Sequence, residues 1–188
     1  MSLGRIERIH DELFQFLENY MGKHNGFNFM PKQTNHYGRL DRGYWFPGND
    51  KYLLIGFYSG HDSFNKTSNI CFQAHLTAQS GRPLNTCSIQ LSNTPNSEAY
   101  ASKKPVIENI MKKLGGFEVS CINKYGLERR WNRYYSTNNY LQCIEEFVSK
   151  DKPVIDYIIE QANNPHLGFL EEVQTKQKIS SIISRRVL

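Results

Sequence analysis

Residues 51–92 decide the fold, and they read KYLLIGFYSGHDSFNKTSNICFQAHLTAQSGRPLNTCSIQLS. Residues 51–59 are apolar on both faces of an extended chain, which is typical of a central strand. Residues 68–78 alternate apolar and polar side chains strictly, and residues 85–92 alternate again. Because short turns containing Gly or Pro separate the three segments, the sequence predicts an antiparallel β-meander.

Helical and hairpin patterns flank this meander. Apolar residues at helical spacing predict an amphipathic helix over residues 5–21 and a second helix that begins near Ser102. Residues 117–123 and 127–135 predict a second hairpin. Capping residues then predict a helix that begins at Thr137, another that begins at Asp151, and a last helix over 167–186.

The predicted fold class is therefore α+β. A mainly antiparallel sheet, made of the meander and the hairpin, packs with an N-terminal helix, a middle helix and C-terminal helices. We expect residues 1–164 to form a single domain and residues 165–188 to form a helical extension.

Composition limits the function classes. The chain has 188 residues, 39% of them apolar, and a net charge of +5, which excludes intrinsic disorder and favours one packed domain. No apolar run has the length of a membrane span and the N-terminus has no signal-peptide core, so a cytoplasmic protein without a membrane partner is expected. The four cysteines have neither zinc-site nor CxxC spacing, so we expect free thiols, no bound metal and no cofactor; they are Cys71, Cys87, Cys121 and Cys143.

Catalytic motifs are missing from the sequence. It contains no Asp-x-Lys or Glu-x-Lys, which a PD-(D/E)xK nuclease needs, and no Walker A, GxGxxG, HExxH or GxSxG motif. These absences favour a non-catalytic protein. One alternative is an unrecognised nuclease-like site around His61, Asp62 and His75, if the strands that carry them pair. The other interpretation is that Asp62 belongs to a turn and that His75 makes an ordinary hydrogen bond.

Positive charge is concentrated in one stretch of the chain. Residues 103–133 contain eight Lys and Arg residues and three Glu residues, so eight minus three accounts for the whole net excess of +5. Within residues 124–135, KYGLERRWNRYY interleaves arginines with aromatic residues. Guanidinium groups bind phosphates and aromatic rings stack on unpaired bases. The pattern predicts a nucleic-acid site made of Arg129, Arg130, Trp131, Arg133, Lys112, Lys113, Lys124 and Tyr135.

A structural interpretation of the same residues stays open. In it, Trp131 and Tyr135 cover the core of an edge strand while the arginine stems lie along the surface. Residues 22–50 raise a similar choice, because they combine breakers with many aromatics. They either pack on the core or form a binding loop. A second mixed patch lies in this segment and consists of Tyr37, Arg39, Arg42, Tyr44 and Trp45.

From about Trp45 to Ile159, the order of elements resembles a known family. The features that carry the resemblance are the polar-alternating strands, the helix YASKKPVIENIMKKLG that begins at Tyr100, the strand pair with Trp131, and the helical residues 145–159. The chain resembles the domain of unknown function 4268, a prokaryotic module often attached to restriction or nuclease-like proteins. This resemblance implies an accessory module near nucleic acid and assigns no catalytic residue.

Three functions remain open from the sequence. The first is a non-catalytic nucleic-acid-binding or accessory protein of a bacterial or phage restriction or defence system. The second is the nuclease-like enzyme described above. The third is an interaction or oligomerisation module that binds a protein partner, or a second copy, through the C-terminal helix.

Overall fold

The structure is a computed structural model that describes residues 4–60, 69–93, 100–122 and 129–186. Its first elements are helix α1 (Arg5–Lys23) and strands β1 (Tyr52–Gly56), β2 (Tyr58–Ser59), β3 (Ile70–His75) and β4 (Cys87–Asn93). Helix α2 (Tyr100–Leu114) precedes strands β5 (Glu118–Ile122) and β6 (Arg129–Tyr134). The last elements are helices α3 (Tyr140–Glu146) and α4 (Lys152–Ala162), strand β7 (Gly168–Phe169) and helix α5 (Glu172–Arg186).

The main sheet has five strands in the order β1-β3-β4-β6-β5, and all the neighbours are antiparallel. Strands β1, β3 and β4 form the predicted meander, and β5 pairs with β6 as the predicted hairpin. Strand β6 then adds to the free edge of β4. The predicted α+β class with a mainly antiparallel sheet is confirmed.

The predicted position of the first strand is wrong. Strand β1 lies at an edge of the five-stranded sheet, not at its centre, and it ends at Gly56. It nevertheless looks central in sequence because the aromatic-rich segment before it covers its outer edge. The Met30 N–H donates to the Gly56 carbonyl (2.7 Å), and the Leu54 N–H donates to the Pro47 carbonyl (2.9 Å).

The sheet has one apolar face and one polar face. Side chains at alternate positions of β1, β3 and β4 pack with the helices into one hydrophobic core; they are Leu53, Ile55, Ile70, Phe72, Ala74, Cys87, Ile89 and Leu91. We call this side the helix-packed face. The opposite side, the polar face, consists of Cys71, Gln73, His75, Ser88, Gln90, Asn132 and Tyr134. Register places each set on one side because neighbouring strands pair residue by residue.

Three helix boundaries differ from the sequence prediction. The helix predicted over 167–186 begins only at Glu172, because Gly168–Phe169 form strand β7. The N-cap of α3 is Asn139, whose side chain accepts hydrogen bonds from the Leu141 and Gln142 N–H groups. Thr137 lies two residues before this N-cap, and its hydroxyl oxygen accepts a hydrogen bond from the Asn139 N–H (3.1 Å). Helices α3 and α4 are also continuous rather than separate, because a π-helical turn at Phe147–Asp151 joins them.

The segment predicted as a C-terminal extension shares the core of the rest of the chain in its described part. Strand β7 pairs with β2. Ile179 and Ile182 of α5 belong to the main core cluster. Arg186 forms ion pairs with Asp11 (2.7 Å) and Glu18 (3.1 Å) on α1. The buried isoleucines of α5 are therefore already used inside the chain and cannot contact a partner.

The aromatic-rich segment before β1 also packs on the core. Phe27, Phe29, Leu40, Trp45 and Phe46 are members of the main cluster. Within the second mixed patch, Tyr44 and Trp45 are buried. The Arg39 and Arg42 guanidinium groups lie 5.0 and 5.1 Å from the centre of the Tyr44 ring. Across the described ranges, each helix is too short or too polar to cross a lipid bilayer.

Candidate nucleic-acid interface

Helix α2 and strand β6 enclose a small cleft at the end of the helix-packed face. Its volume is about 130 Å³, and we call it the α2–β6 cleft. It is lined by Asn93, Tyr100, Lys104, Ile107, Glu108, Met111 and Trp131. One wall is therefore aromatic, one is aliphatic, and the rim carries charges of both signs.

Burial of one side of α2 fixes which of its residues reach the rim. Val106, Ile107 and Ile110 are buried against the core. Lys103 is also buried, and its Nζ donates to the Gly60 carbonyl (3.3 Å) and to Asn69 Oδ1 (3.2 Å). Because residues four apart lie on one line along a helix, Lys104, Glu108 and Lys112 form an exposed ridge beside the cleft.

Trp131 forms the sheet side of the cleft. The register places it between Leu91 of β4 and Val119 of β5. It is half-buried and packs against the core cluster, while its neighbour Val119 is 58% exposed. Trp131 therefore covers the end of the core, as the structural interpretation expects, and also leaves part of its surface to the cleft.

Asn93 is one of the residues at this site that the sequence analysis did not select. It lies at the end of β4 and is 1% exposed. Its Oδ1 has no hydrogen-bond partner among the described residues. The signal for it is present in the sequence, because Asn93 continues the alternation of Cys87, Ile89 and Leu91 with a polar side chain. A polar residue at a core position calls for a partner.

The rim of the cleft carries most of the local charge. Lys104 Nζ lies 3.8 Å from Glu108 Oε1, and both side chains are more than half exposed. Lys112 and Lys113 are exposed in the last turn of α2. Cations in a last turn also stabilise the helix dipole. The two predicted lysines are thus free of the core, and they follow Met111, the last residue of α2 that lines the cleft.

Arg133 and Tyr135 have a structural role instead. Arg133 forms an ion pair with Asp151, and the Tyr135 hydroxyl donates to Asp151 Oδ2 (2.7 Å). Burial, followed by the nearby Asp151 charge, raises the pKa of Tyr135 well above its usual value. Asp151 lies in the π-helical turn. The pair therefore joins β6 to the helices, and Arg133 does not point to a free surface.

The remaining predicted residues do not join Trp131 either. Arg130 alternates with Trp131 along β6, so it lies toward the polar face, where its positive charge acts on Cys71. Lys124 and the side chain of Arg129 lie outside the described residues. Of the eight predicted residues, Trp131 lines the cleft, and Lys112 and Lys113 lie exposed in the last turn of the helix that forms its other wall. The structure separates them from Arg130, Arg133 and Tyr135.

The polar face is a second constellation, and most of its side chains are buried. Gln90 Nε2 donates to Gln73 Oε1 (2.9 Å), and Asn132 Nδ2 donates to the Tyr134 hydroxyl (3.1 Å). Arg82 lies 3.2 Å from the centre of the Tyr134 ring and forms an ion pair with Glu118. Three buried polar atoms of this face have no partner in the described part of the chain: His75 Nε2, Ser88 Oγ and Asn132 Oδ1.

His75 is held in one tautomer on this face. The Gln79 amide donates to His75 Nδ1, so the ring proton is on Nε2. Burial, and then the positive charge of Arg82, lowers the pKa of His75 to about 4. His75 is therefore neutral at pH 7 and presents an N–H donor rather than a base. His61 and Asp62, its predicted partners, lie outside the described residues.

The described cysteines are buried free thiols. Burial raises the pKa of Cys71 to about 12, which keeps it protonated and unreactive. Cys121 was predicted to be free as well, and its side chain lies outside the described part. Over the described ranges, no three His, Cys, Asp or Glu residues come together as metal ligands.

Comparisons with protein-family models, with curated proteins and with solved structures found no match to this chain.

Proposed function

We propose that the protein is a non-catalytic nucleic-acid-binding protein, and that it binds a single strand along α2 and the neighbouring end of β6. The observation that carries this proposal is the α2–β6 cleft, where a half-buried tryptophan faces a lysine-bearing ridge. Lysines attract the phosphate backbone, and an indole ring stacks on a base whatever its identity. A single strand suits this site because its bases are unpaired and can leave the stack.

The charge and the apolar surface around the cleft also support binding of a single strand. Residues 103–133 hold the net positive excess of the chain, and α2 presents Lys104, Lys112 and Lys113 on its exposed side. Val119 extends the apolar surface beyond Trp131 toward the outer edge of the sheet. Together these features place positive charge on the helix side of the cleft and apolar surface on its sheet side.

We further propose that the protein works as an accessory component of a prokaryotic restriction or defence system. This part of the proposal rests on the similarity of its element order to the domain of unknown function 4268. The described residues contain no cluster of metal ligands, so the proposal needs no nuclease centre in this part of the chain.

Fluorescence anisotropy with end-labelled strands tests the proposal. Single- and double-stranded DNA and RNA of one length are titrated at two salt concentrations. We expect the single strands to bind more tightly than the duplexes, with an affinity that falls steeply as salt rises. Equal and salt-independent binding of all four probes, or no binding at low salt, would contradict the proposal.

A second candidate function follows from one observation on the polar face. The buried His75 Nε2–H lacks a partner among the described residues, as a group that awaits a substrate does. A nuclease-like activity there would use His75 as a neutral hydrogen-bond donor, because its pKa of about 4 leaves no proton to give as an acid at pH 7. Turnover of labelled strands with added Mg²⁺, lost in His75→Gln, supports this candidate. No turnover in either protein contradicts it.

A further inference from the structure

We propose that the α2–β6 cleft binds one unpaired nucleobase that carries an exocyclic amino group, and that this group donates a hydrogen bond to Asn93 Oδ1. The inference rests on the proposed nucleic-acid function and names the chemical group that the site recognises.

The shape of the cleft favours a flat ring. Its volume of about 130 Å³ exceeds the space that a single water molecule needs several times over. Trp131 forms one wall, and Ile107 and Met111 belong to the opposite wall on α2. A planar aromatic group between an indole and two aliphatic side chains would bury both of its faces.

The unpartnered amide oxygen of Asn93 indicates that the ligand supplies a hydrogen-bond donor. Asn93 is 1% exposed, and its Oδ1 accepts no hydrogen bond from the described residues. A buried acceptor without a donor is unfavourable, so a ligand that supplies an N–H group gains most at this point. Phosphate and carboxylate groups offer only acceptors, so they do not satisfy Asn93. Adenine and cytosine both offer an amino group.

The rim of the cleft suits the backbone that would accompany such a base. Lys104 lines the cleft, and Lys112 follows it two turns further along the same ridge of α2. Glu108 lies between them and holds Lys104 in an exposed ion pair. A base inside the cleft therefore places its flanking phosphates near lysines, while a free amine ligand would meet them as like charges.

An abasic strand with a single base isolates this site from general backbone binding. The probes are abasic phosphodiester strands of one length that carry at the centre either adenine, or purine without its amino group, or no base. Adenine and purine present nearly the same surface for stacking and differ in the amino group. We expect the adenine probe to bind about three- to tenfold more tightly than the purine probe, which is the usual gain of one hydrogen bond.

The variant Asn93→Leu provides the matched protein control. It removes the acceptor and keeps a side chain of similar size, so we expect it to bind the adenine and purine probes equally. The probe comparison on the parent protein decides the question even if this variant fails to fold. If the adenine, purine and baseless probes bind the parent equally well and with steep salt dependence, the base site is wrong while the nucleic-acid function stands. If none of them binds at low salt and ordinary strands do not bind either, both proposals fail.

Discussion

At the scale of single residues, Arg133 shows why spacing alone does not identify a phosphate contact. It shares a face of β6 with Trp131, as the alternation of the sequence predicts. The sequence does not show the partner of Arg133. Asp151 lies in the π-helical turn and forms an ion pair with the Arg133 guanidinium group. A π-helical turn has no sequence period that would predict it, so the partner of Arg133 could not be inferred beforehand.

Replacing Arg133 tests this structural role. We predict that Arg133→Ala lowers the free energy of unfolding by about 2 to 3 kcal/mol, because the largely buried Asp151 loses a charged partner. The salt dependence of strand binding should stay as in the parent protein. Urea unfolding and anisotropy titrations on the same protein measure both quantities. A lower salt slope with unchanged stability would instead make Arg133 a phosphate contact.

His10 makes a second prediction at this scale. Its Nδ1 accepts a hydrogen bond from the Phe46 N–H (3.2 Å), and it is 1% exposed. Burial, helped by the charges of Lys32 and Arg39, lowers the pKa of His10 from 6.5 to about 3. Below pH 6.5, His10 therefore binds a proton in the unfolded chain but stays neutral in the folded protein until the pH approaches 3. Stability from this group is complete above pH 6.5 and is lost as the pH falls toward 3.

The variant His10→Asn isolates this effect, because its side-chain oxygen can accept from the Phe46 N–H without titrating. Between pH 7 and pH 4.5 we expect the parent to lose about 2 to 3 kcal/mol more stability than the variant. Urea unfolding at the two pH values measures the difference. Parallel losses in the two proteins would show that His10 is protonated normally in the fold.

At the scale of elements, the rotation of helix α2 determines which charged side chains lie beside the cleft. Its buried side and the Lys103 contacts fix its rotation, and the ridge of Lys104, Glu108 and Lys112 follows. The sequence predicts the helix and its apolar stripe, because both depend on local spacing. Local spacing does not predict that Trp131 faces the helix, since that contact joins segments between which strand β5 lies in the chain.

Glu108 is the one acid on this ridge, and its removal gives a prediction of increased binding. We expect Glu108→Gln to bind single strands about two- to fivefold more tightly at low salt, because Lys104 loses its ion pair and the phosphates lose a repulsive charge. Glu145→Gln is the matched control, since Glu145 is exposed on α3. Equal tightening in both variants would indicate a general charge effect with no role for the ridge.

The strands show where sequence patterns fail at this scale. Strands β3 and β4 alternate as predicted, yet the polar side of β3 is as buried as its apolar side, with Gln73 and His75 at 7% and 4% exposure. Polar side chains of neighbouring strands also contact one another, as Gln73 and Gln90 do, and alternation along one strand does not indicate this. Strand β1 shows a different failure. Its apolar pattern predicts a central strand, but it is an edge strand whose outer side is covered by residues 30 and 47–48.

At the scale of the whole molecule, the described helices pack on the apolar face of the sheet in one core. The element types and the antiparallel connectivity could be predicted from periodicity and turn residues. The placement of α5 in the common core could not, because its loose apolar spacing hides the contacts of Ile179 and Ile182. The cleft depended on pairing β6 with β4, which is a contact between distant segments.

The central claim is that α2 carries the phosphate contacts, and the salt dependence of strand binding in a double lysine variant tests it most directly. The variant Lys112→Ala/Lys113→Ala is compared with Lys23→Ala/Lys51→Ala, which removes the same charge from exposed positions on α1 and beside β1. For single-stranded DNA, we predict that the first variant lowers the slope of log affinity against log salt by about 0.7 for each phosphate that a replaced lysine neutralises in the parent, and that the second keeps the parent slope. Equal slopes in the parent and both variants would contradict the account.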